Sequence, residues 1–219
     1  MTNTDPQSRP GKLRKPLFIY VDLGNVLLMF DHDIACRQMS EVSGVDFAQI
    51  KKLVFEGSLE NQYETGTIST AEFYEAFCRQ TGTKPCLDAL MHAASDIFSL
   101  NARIVPVVSQ LAAVNMPMGI LSNTCEAHWQ FVNNGRFGLL NHFFPVKALS
   151  YELKSMKPDG QIYAKAAELA GVEPSEIFFF DDKPENVAGA LKAGYDAVHY
   201  SSPESLVAEL SLRGVELNY

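Results

Sequence analysis

The sequence predicts a doubly wound α/β fold with a parallel sheet and a small helical insertion, and three observations predict it. Short apolar runs alternate with helical patterns through the second half of the chain, the arrangement of parallel strands joined by crossover helices. The runs are continuous rather than alternating, so their strands are covered on both faces. Between the first run and the second, residues 32–100 hold helical patterns and no convincing strand.

In chain order, the first 16 residues are polar, with four basic residues, and read as a disordered tail. Residues 17–22 (LFIYVD) form the first strand. The insertion follows, with helical patterns at 33–43, 46–57, 69–80 and 86–98 separated by the turn-like stretches VSGVD and TGTIST. MPMGILS (116–122), FFPVKALS (143–150, weaker), EIFFFDD (176–182) and DAVHYS (196–201) supply the remaining strands. Between them Ile104, Val107, Val108, Leu111 and Val114 recur at helical spacing, as do Ile162, Ala166 and Leu169, with Pro158 ahead and Gly171 behind as start and stop signals. Val187, Ala190 and Leu191 mark another helix ended by Gly194, and Ser202–Pro203 opens the last one. The expected division is a tail over 1–16, a core over 17–31 and 101–219, and a cap over 32–100.

Composition narrows the function. With 47% apolar and 20% charged residues this is an ordinary globular chain, and a formal net charge of −8 argues against nucleic acid or an anionic membrane as partner. Four scattered cysteines form no C-x-x-C pair, so neither a zinc site nor a redox dithiol is expected. The segment MTNTDPQSRPGKLRKP lacks an apolar signal region, and no run approaches the roughly 18 apolar residues of a membrane span. A cytoplasmic location with free thiols is expected. Nucleotide loops of the G-x-x-x-x-G-K-[ST] or G-x-G-x-x-G type are absent, and His92, His128, His142 and His199 share no ligand spacing.

The chemistry collects at the carboxyl ends of the strands, the edge where such sheets bind ligands. Strand one ends in Asp22, MPMGILS ends in Ser122 followed by Asn123 and Thr124, and EIFFFDD ends in Asp181 and Asp182; Lys157 precedes the helix leading into that last strand. Alone, a strand-end aspartate is often a helix cap and a serine a turn residue. Two adjacent carboxylates at the mouth of a buried strand are more telling, because they repel each other unless a cation is near. Together the set suits phosphoryl transfer. A carboxylate can attack phosphorus, but two like charges 4 Å apart repel by about 4 kcal/mol at an effective dielectric near 20. Mg²⁺ held by Asp22 and Asp182, with Asp181 close by, removes that barrier; Lys157, Ser122, Asn123 and nearby amides then hold the phosphate oxygens.

The stretches VDLGNVL, GILSNT, KSMKPDGQIY and IFFFDDKPENVAGA resemble, in order, the four motifs of the haloacid dehalogenase superfamily. The resemblance spans about residues 17–201 and implies a Rossmann-like three-layer α/β/α core, a mostly parallel sheet and a helical cap inserted after the first motif. It implies Asp22 as nucleophile, Ser122 and Lys157 as phosphate binders, Asp182 as Mg²⁺ ligand with Asp181 in a second shell or bound through water, and the Gly24 carbonyl as a further ligand.

One position departs from that pattern. Phosphatases of the family usually carry a second aspartate where this chain has Gly24, and the lost acid–base help is worth roughly 10²–10⁴ in rate. Three explanations stand. The substrate has a good leaving group, such as a sugar 1-phosphate, and the DLGNV variant resembles a subgroup containing a bacterial α-glucose-1-phosphate phosphatase. A substitute acid comes from Asp31, His32 or Asp33, which otherwise read as linker and helix start. Or the protein chiefly binds a phosphorylated ligand. Metal-independent dehalogenases share the nucleophile and also lack the second aspartate, although paired metal-binding carboxylates have no use beside a haloacid. The expectation is a Mg²⁺-dependent phosphatase of a small phosphorylated metabolite, a sugar phosphate first. Glu56, Tyr63, Glu64 and Asn186 are expected near the pocket.

Overall fold

The computed structural model describes residues 13–218. Much of the expected tail, residues 1–12, therefore lies outside the described residues.

Five strands form one parallel sheet: β1 (Phe18–Val21), β4 (Met118–Ser122), β5 (Val146–Leu149), β6 (Ile177–Asp181) and β7 (Asp196–His199), in the order β5-β4-β1-β6-β7. Two further strands that the sequence reading missed, β2 (Leu28–Met29) and β3 (Ser99–Leu100), pair antiparallel in a separate ribbon. Two-residue strands are too short to show any periodicity.

The central strand explains the continuous apolar runs. Ile19 and Val21 face one core, with Ile120, Phe178, Phe180 and the helices α6 (Val105–Ala113), α7 (Glu126–Val132), α8 (Leu139–Phe143) and α12 (Pro203–Leu212). Phe18 and Tyr20 face the other, with Phe179 and the helices α10 (Gly160–Ala170) and α11 (Pro184–Lys192). Successive strand residues point to opposite faces, and here both faces are dry. The Tyr20 hydroxyl meets its hydrogen-bonding need inside, donating to the Ala166 carbonyl at 2.7 Å. Asp159 caps α10 by accepting from the Gln161 N–H, and Gly171 ends it in the left-handed conformation. A short α9 (Ser150–Leu153) follows β5.

Between β2 and β3 runs the helical segment: α1 (His32–Ser43), α2 (Phe47–Ile50) continuing as a π-helical stretch Lys51–Phe55, α3 (Leu59–Glu64), α4 (Thr70–Thr81) and α5 (Leu87–Ser95). It has its own apolar cluster, including Met39, Ile50, Phe73, Phe77 and Leu90. The expected helix over 46–57 is thus an α stretch and a π stretch, the one over 86–98 stops at Ser95, and α3 was not foreseen. Among the described residues no helix is long and apolar enough to cross a membrane.

Candidate active site

The sheet register sets the site. Val21 pairs with Ile120 of β4 and with Phe180 of β6, so Asp22 emerges level with Leu121 and Asp181 at the carboxyl edge. From β1 the chain runs to β4 and β5 on one side, then returns to β6 on the other. Such a reversal opens a crevice between neighbouring strands.

Lys157, just ahead of α10, crosses that crevice. Its Nζ donates to Asp22 Oδ1 at 2.7 Å, to Asp181 Oδ2 at 2.6 Å and to the Leu121 carbonyl at 2.9 Å. The three side chains belong to residues only 4%, 6% and 0% exposed for Lys157, Asp22 and Asp181. Buried charges persist when paired and hydrogen-bonded in this way. Burial works against the Lys157 ammonium, but the charges of Asp22 and Asp181 outweigh it, so its pKa lies above the usual lysine value. Burial raises the Asp22 carboxyl to about 7, with Lys157 pulling it down and Asp181 pushing it up.

Asp181 is fully engaged: Asn186 Nδ2 donates to both its oxygens at 2.9 and 3.0 Å, and the Lys183 N–H donates to Oδ1 at 2.8 Å. Half-buried Asp182 accepts from Asn25 Nδ2 at 3.2 Å. Oxygens of Asp22, Asp181 and Asp182 lie within 4.8 Å of one another, three carboxylates facing one bridging ammonium. An all-oxygen donor set with surplus negative charge fits a hard divalent cation such as Mg²⁺. Asn123 secures the lysine loop, its Nδ2 donating to the Lys157 carbonyl at 2.9 Å and its Oδ1 accepting from the Lys157 N–H at 2.8 Å. Ser122 is buried, its hydroxyl donating to the Asn123 carbonyl at 3.2 Å.

A cavity of about 160 Å³ lies over this cluster, bordered by Asp22, Gly24, Asn123, Lys157 and Asp182. Asp181 sits beneath it, and Ser122 borders an adjoining cavity of about 40 Å³. The helical segment and its approach supply the facing wall: Phe30, His32, Glu60 and Glu64. Of the residues expected near the pocket, Glu64 and Asn186 line it. Glu56 does not, being exposed, and Tyr63 is buried in the helical cluster. Glu60, Phe30 and Lys183 were not foreseen. The signal for Glu60 was its spacing of four from Glu64 on the unforeseen α3.

The wall carries its own electrostatics. Burial raises Glu60 to about 8, helped by the Glu64 charge and opposed by Lys183. Burial raises Glu64 to about 7 against the pull of Lys183 and Lys157. Asp31 caps α1, accepting from the Asp33 N–H, and Asp33 pairs with Lys51 at 2.8 Å. His32 alone of that trio reaches the cavity; it stacks on Phe55 at 4.5 Å, and its Nε2 lies 3.4 Å from Glu60 Oε1. Burial, then Lys183, lowers its pKa. A side chain at position 24 would press on Phe30: a Cβ built there would stand 2.8 Å from Phe30 Cε1.

A family model described as haloacid dehalogenase-like hydrolase matches residues 37–194. The chain is 34% identical over 92 residues to enolase-phosphatase E1 of Persephonella marina, covering 41% of this chain and 39% of that protein. It is 34% identical over 62 residues to flavin mononucleotide hydrolase 1 of Arabidopsis thaliana, covering 28% of this chain and 25% of that one. The chain thus spans well under half the length of these curated relatives. Among solved structures, an HAD family enzyme from Bacteroides thetaiotaomicron, in complex with magnesium and inorganic phosphate, superposes with a TM-score of 0.74 at 25% identity, covering 84% of this chain and 94% of that chain.

Proposed function

The chain belongs to the haloacid dehalogenase-like hydrolases, and from that premise we propose that it is a Mg²⁺-dependent phosphomonoester hydrolase with Asp22 as nucleophile. One observation carries the reading: Lys157 bridges Asp22 and Asp181 at 2.7 and 2.6 Å while Asp182 completes a tight carboxylate cluster. Asp22, Asp182 and the Gly24 carbonyl would hold the ion, with Asp181 behind them. A bound Mg²⁺ supplies the positive charge that lets a phosphate dianion come up to a carboxylate.

The protein's own groups do the rest. Asp22 Oδ attacks phosphorus while the bond to the leaving oxygen breaks, forming an aspartyl phosphate that water then hydrolyses. Lys157 is anchored on three oxygens and needs no reorganisation to meet the transferring group's charge. Asn123 fixes the lysine loop from the end of β4. The small, polar cavity favours a small phosphorylated metabolite, and sugar phosphates are the first substrates to try.

The test is phosphate release from a panel of sugar phosphates and nucleotides with Mg²⁺, beside Asp22→Asn and beside EDTA. Release should vanish in both. Release from Asp22→Asn at the rate of the unaltered protein would remove this mechanism. Halide release from 2-haloacids that survives EDTA would favour the dehalogenase reading, in which the carboxylate cluster has no task.

A further inference from the structure

We propose that Glu64, on the helical segment, donates the proton to the leaving-group oxygen and later takes one from the attacking water, replacing the acid that position 24 cannot supply. This deepens the phosphatase reading and rests on it.

The placement argues for Glu64. It borders the main cavity together with Asp22, Lys157 and Asn123, and it also borders the adjoining small cavity over Gly24 and Ser122. Its backbone is fixed, its carbonyl accepting from Ser150 Oγ at 2.6 Å, and Ser150 Oγ in turn accepts from the N–H of Thr124, in the loop after β4. Among the described residues its carboxyl has no hydrogen-bond or ion-pair partner, so a half-buried acid bordering both cavities is left available to a bound molecule. The competing acids already have partners. Glu60 lies 3.4 Å from His32, Asp31 caps α1, and Asp33 pairs with Lys51.

The groups facing Glu64 are Glu60 on its own helix, His32 at the start of α1, Lys183 before α11, Lys157 before α10, Cys125 just before α7, His128 within α7 and, across the cavity, the strand-end acids Asp22 and Asp182. Burial opposed by the two ammoniums leaves Glu64 at about 7, matched to giving and taking a proton near neutrality. The step balances. As the Asp22 Oδ–P bond forms, the P–O bond to the leaving group breaks and that oxygen takes the Glu64 proton. Water then adds to phosphorus, its proton passes to the Glu64 carboxylate, and the Asp22 Oδ–P bond breaks. Inorganic phosphate leaves, with Asp22 ionised and Glu64 protonated again.

The experiment compares kcat/KM, with Mg²⁺, for phenyl phosphate and p-nitrophenyl phosphate, two aryl esters of similar shape and different leaving-group acidity. Glu64→Gln should lower the phenyl value by about 10²–10⁴-fold and the p-nitrophenyl value by less than about tenfold. Glu60→Gln should leave the ratio of the two substrates near that of the unaltered protein. Equal losses on both substrates in Glu64→Gln, or no loss on either, would overturn the assignment. Should Glu64→Gln fail to fold, the unaltered protein still decides. An alkaline fall in kcat/KM for phenyl phosphate that p-nitrophenyl phosphate lacks supports Glu64 as acid, and the same limb for both substrates rejects a proton donor. Full activity in Asp22→Asn on both substrates would instead strike the phosphatase reading beneath it.

Discussion

Phe30 lies against Gly24, and the contact fills the space left by a bare position two residues after Asp22, the proposed nucleophile. Without a side chain at 24, the Phe30 ring closes the space, packed at centroid distances of 5.0 Å from His32 and 5.9 Å from Phe98. Gly24→Asp should therefore destabilise the fold by about 1–3 kcal/mol through overpacking, read by urea denaturation, and adding Phe30→Ala should recover most of that loss. An unchanged midpoint in Gly24→Asp would show that the ring moves freely. The raised carboxyls make a second residue-level prediction. A Glu whose folded pKa lies above its ordinary 4.5 holds its proton longer when folded than when unfolded. The stability this gives is full below about 4.5 and is lost as pH rises through about 8 for Glu60. Glu60→Gln should gain stability relative to the unaltered protein across that window, and a gap independent of pH would refute the buried neutral form. Asp22 and the Asp181–Asp182 pair were legible in the sequence because strand ends are, and Lys157 because it stands just ahead of a legible helix start. Phe30 and Glu60 were not, because their importance comes from which element folds over which.

The six-residue α3 shows the same limit one level up. Its apolar positions, Leu59 and Tyr63, are too few to make a visible helical stripe, and Ser58 gives it no side-chain cap. What holds it is tertiary: both residues join the helical core, and the Tyr63 hydroxyl lies 2.7 Å from Thr70 Oγ1 and accepts from the Ala127 N–H at 3.1 Å. Tyr63→Phe should cost about 1 kcal/mol in a denaturant titration, since it strips that half-buried N–H of its acceptor. No measurable cost would mean that apolar packing alone fixes α3. By contrast α10 was readable, because Pro158 and Gly171 mark its ends in the sequence, and the structure adds caps at Asp159 for α10 and at Ser69–Glu72 for α4. The inner strands β1, β4 and β6 were readable for a related reason, since burial on both faces writes an unbroken apolar run, whereas the half-buried edge strands β5 and β7 write a weaker one. The ribbon of β2 and β3 left no such trace.

At the scale of the molecule, acidity is concentrated where two bodies of structure meet. Asp22, Asp181 and Asp182 rise from the sheet, and Glu60 and Glu64 face the cavity from the helical segment. A divalent ion should therefore act as a folding ligand as well as a catalytic one. Adding Mg²⁺ should raise the Tm of the unaltered protein and do so much less in Asp182→Asn; equal shifts in the two would place the ion elsewhere. The β2–β3 ribbon has a consequence of another kind. Leu28 pairs with Leu100 and Met29 with Ser99, so the chain departs for its helices and comes back at adjacent points. Excising residues 31–97 would leave two stumps that a tight hairpin turn can splice, and a foreign module could be grafted at the same seam. Evolution could refit the roof over an unchanged hearth in just this way.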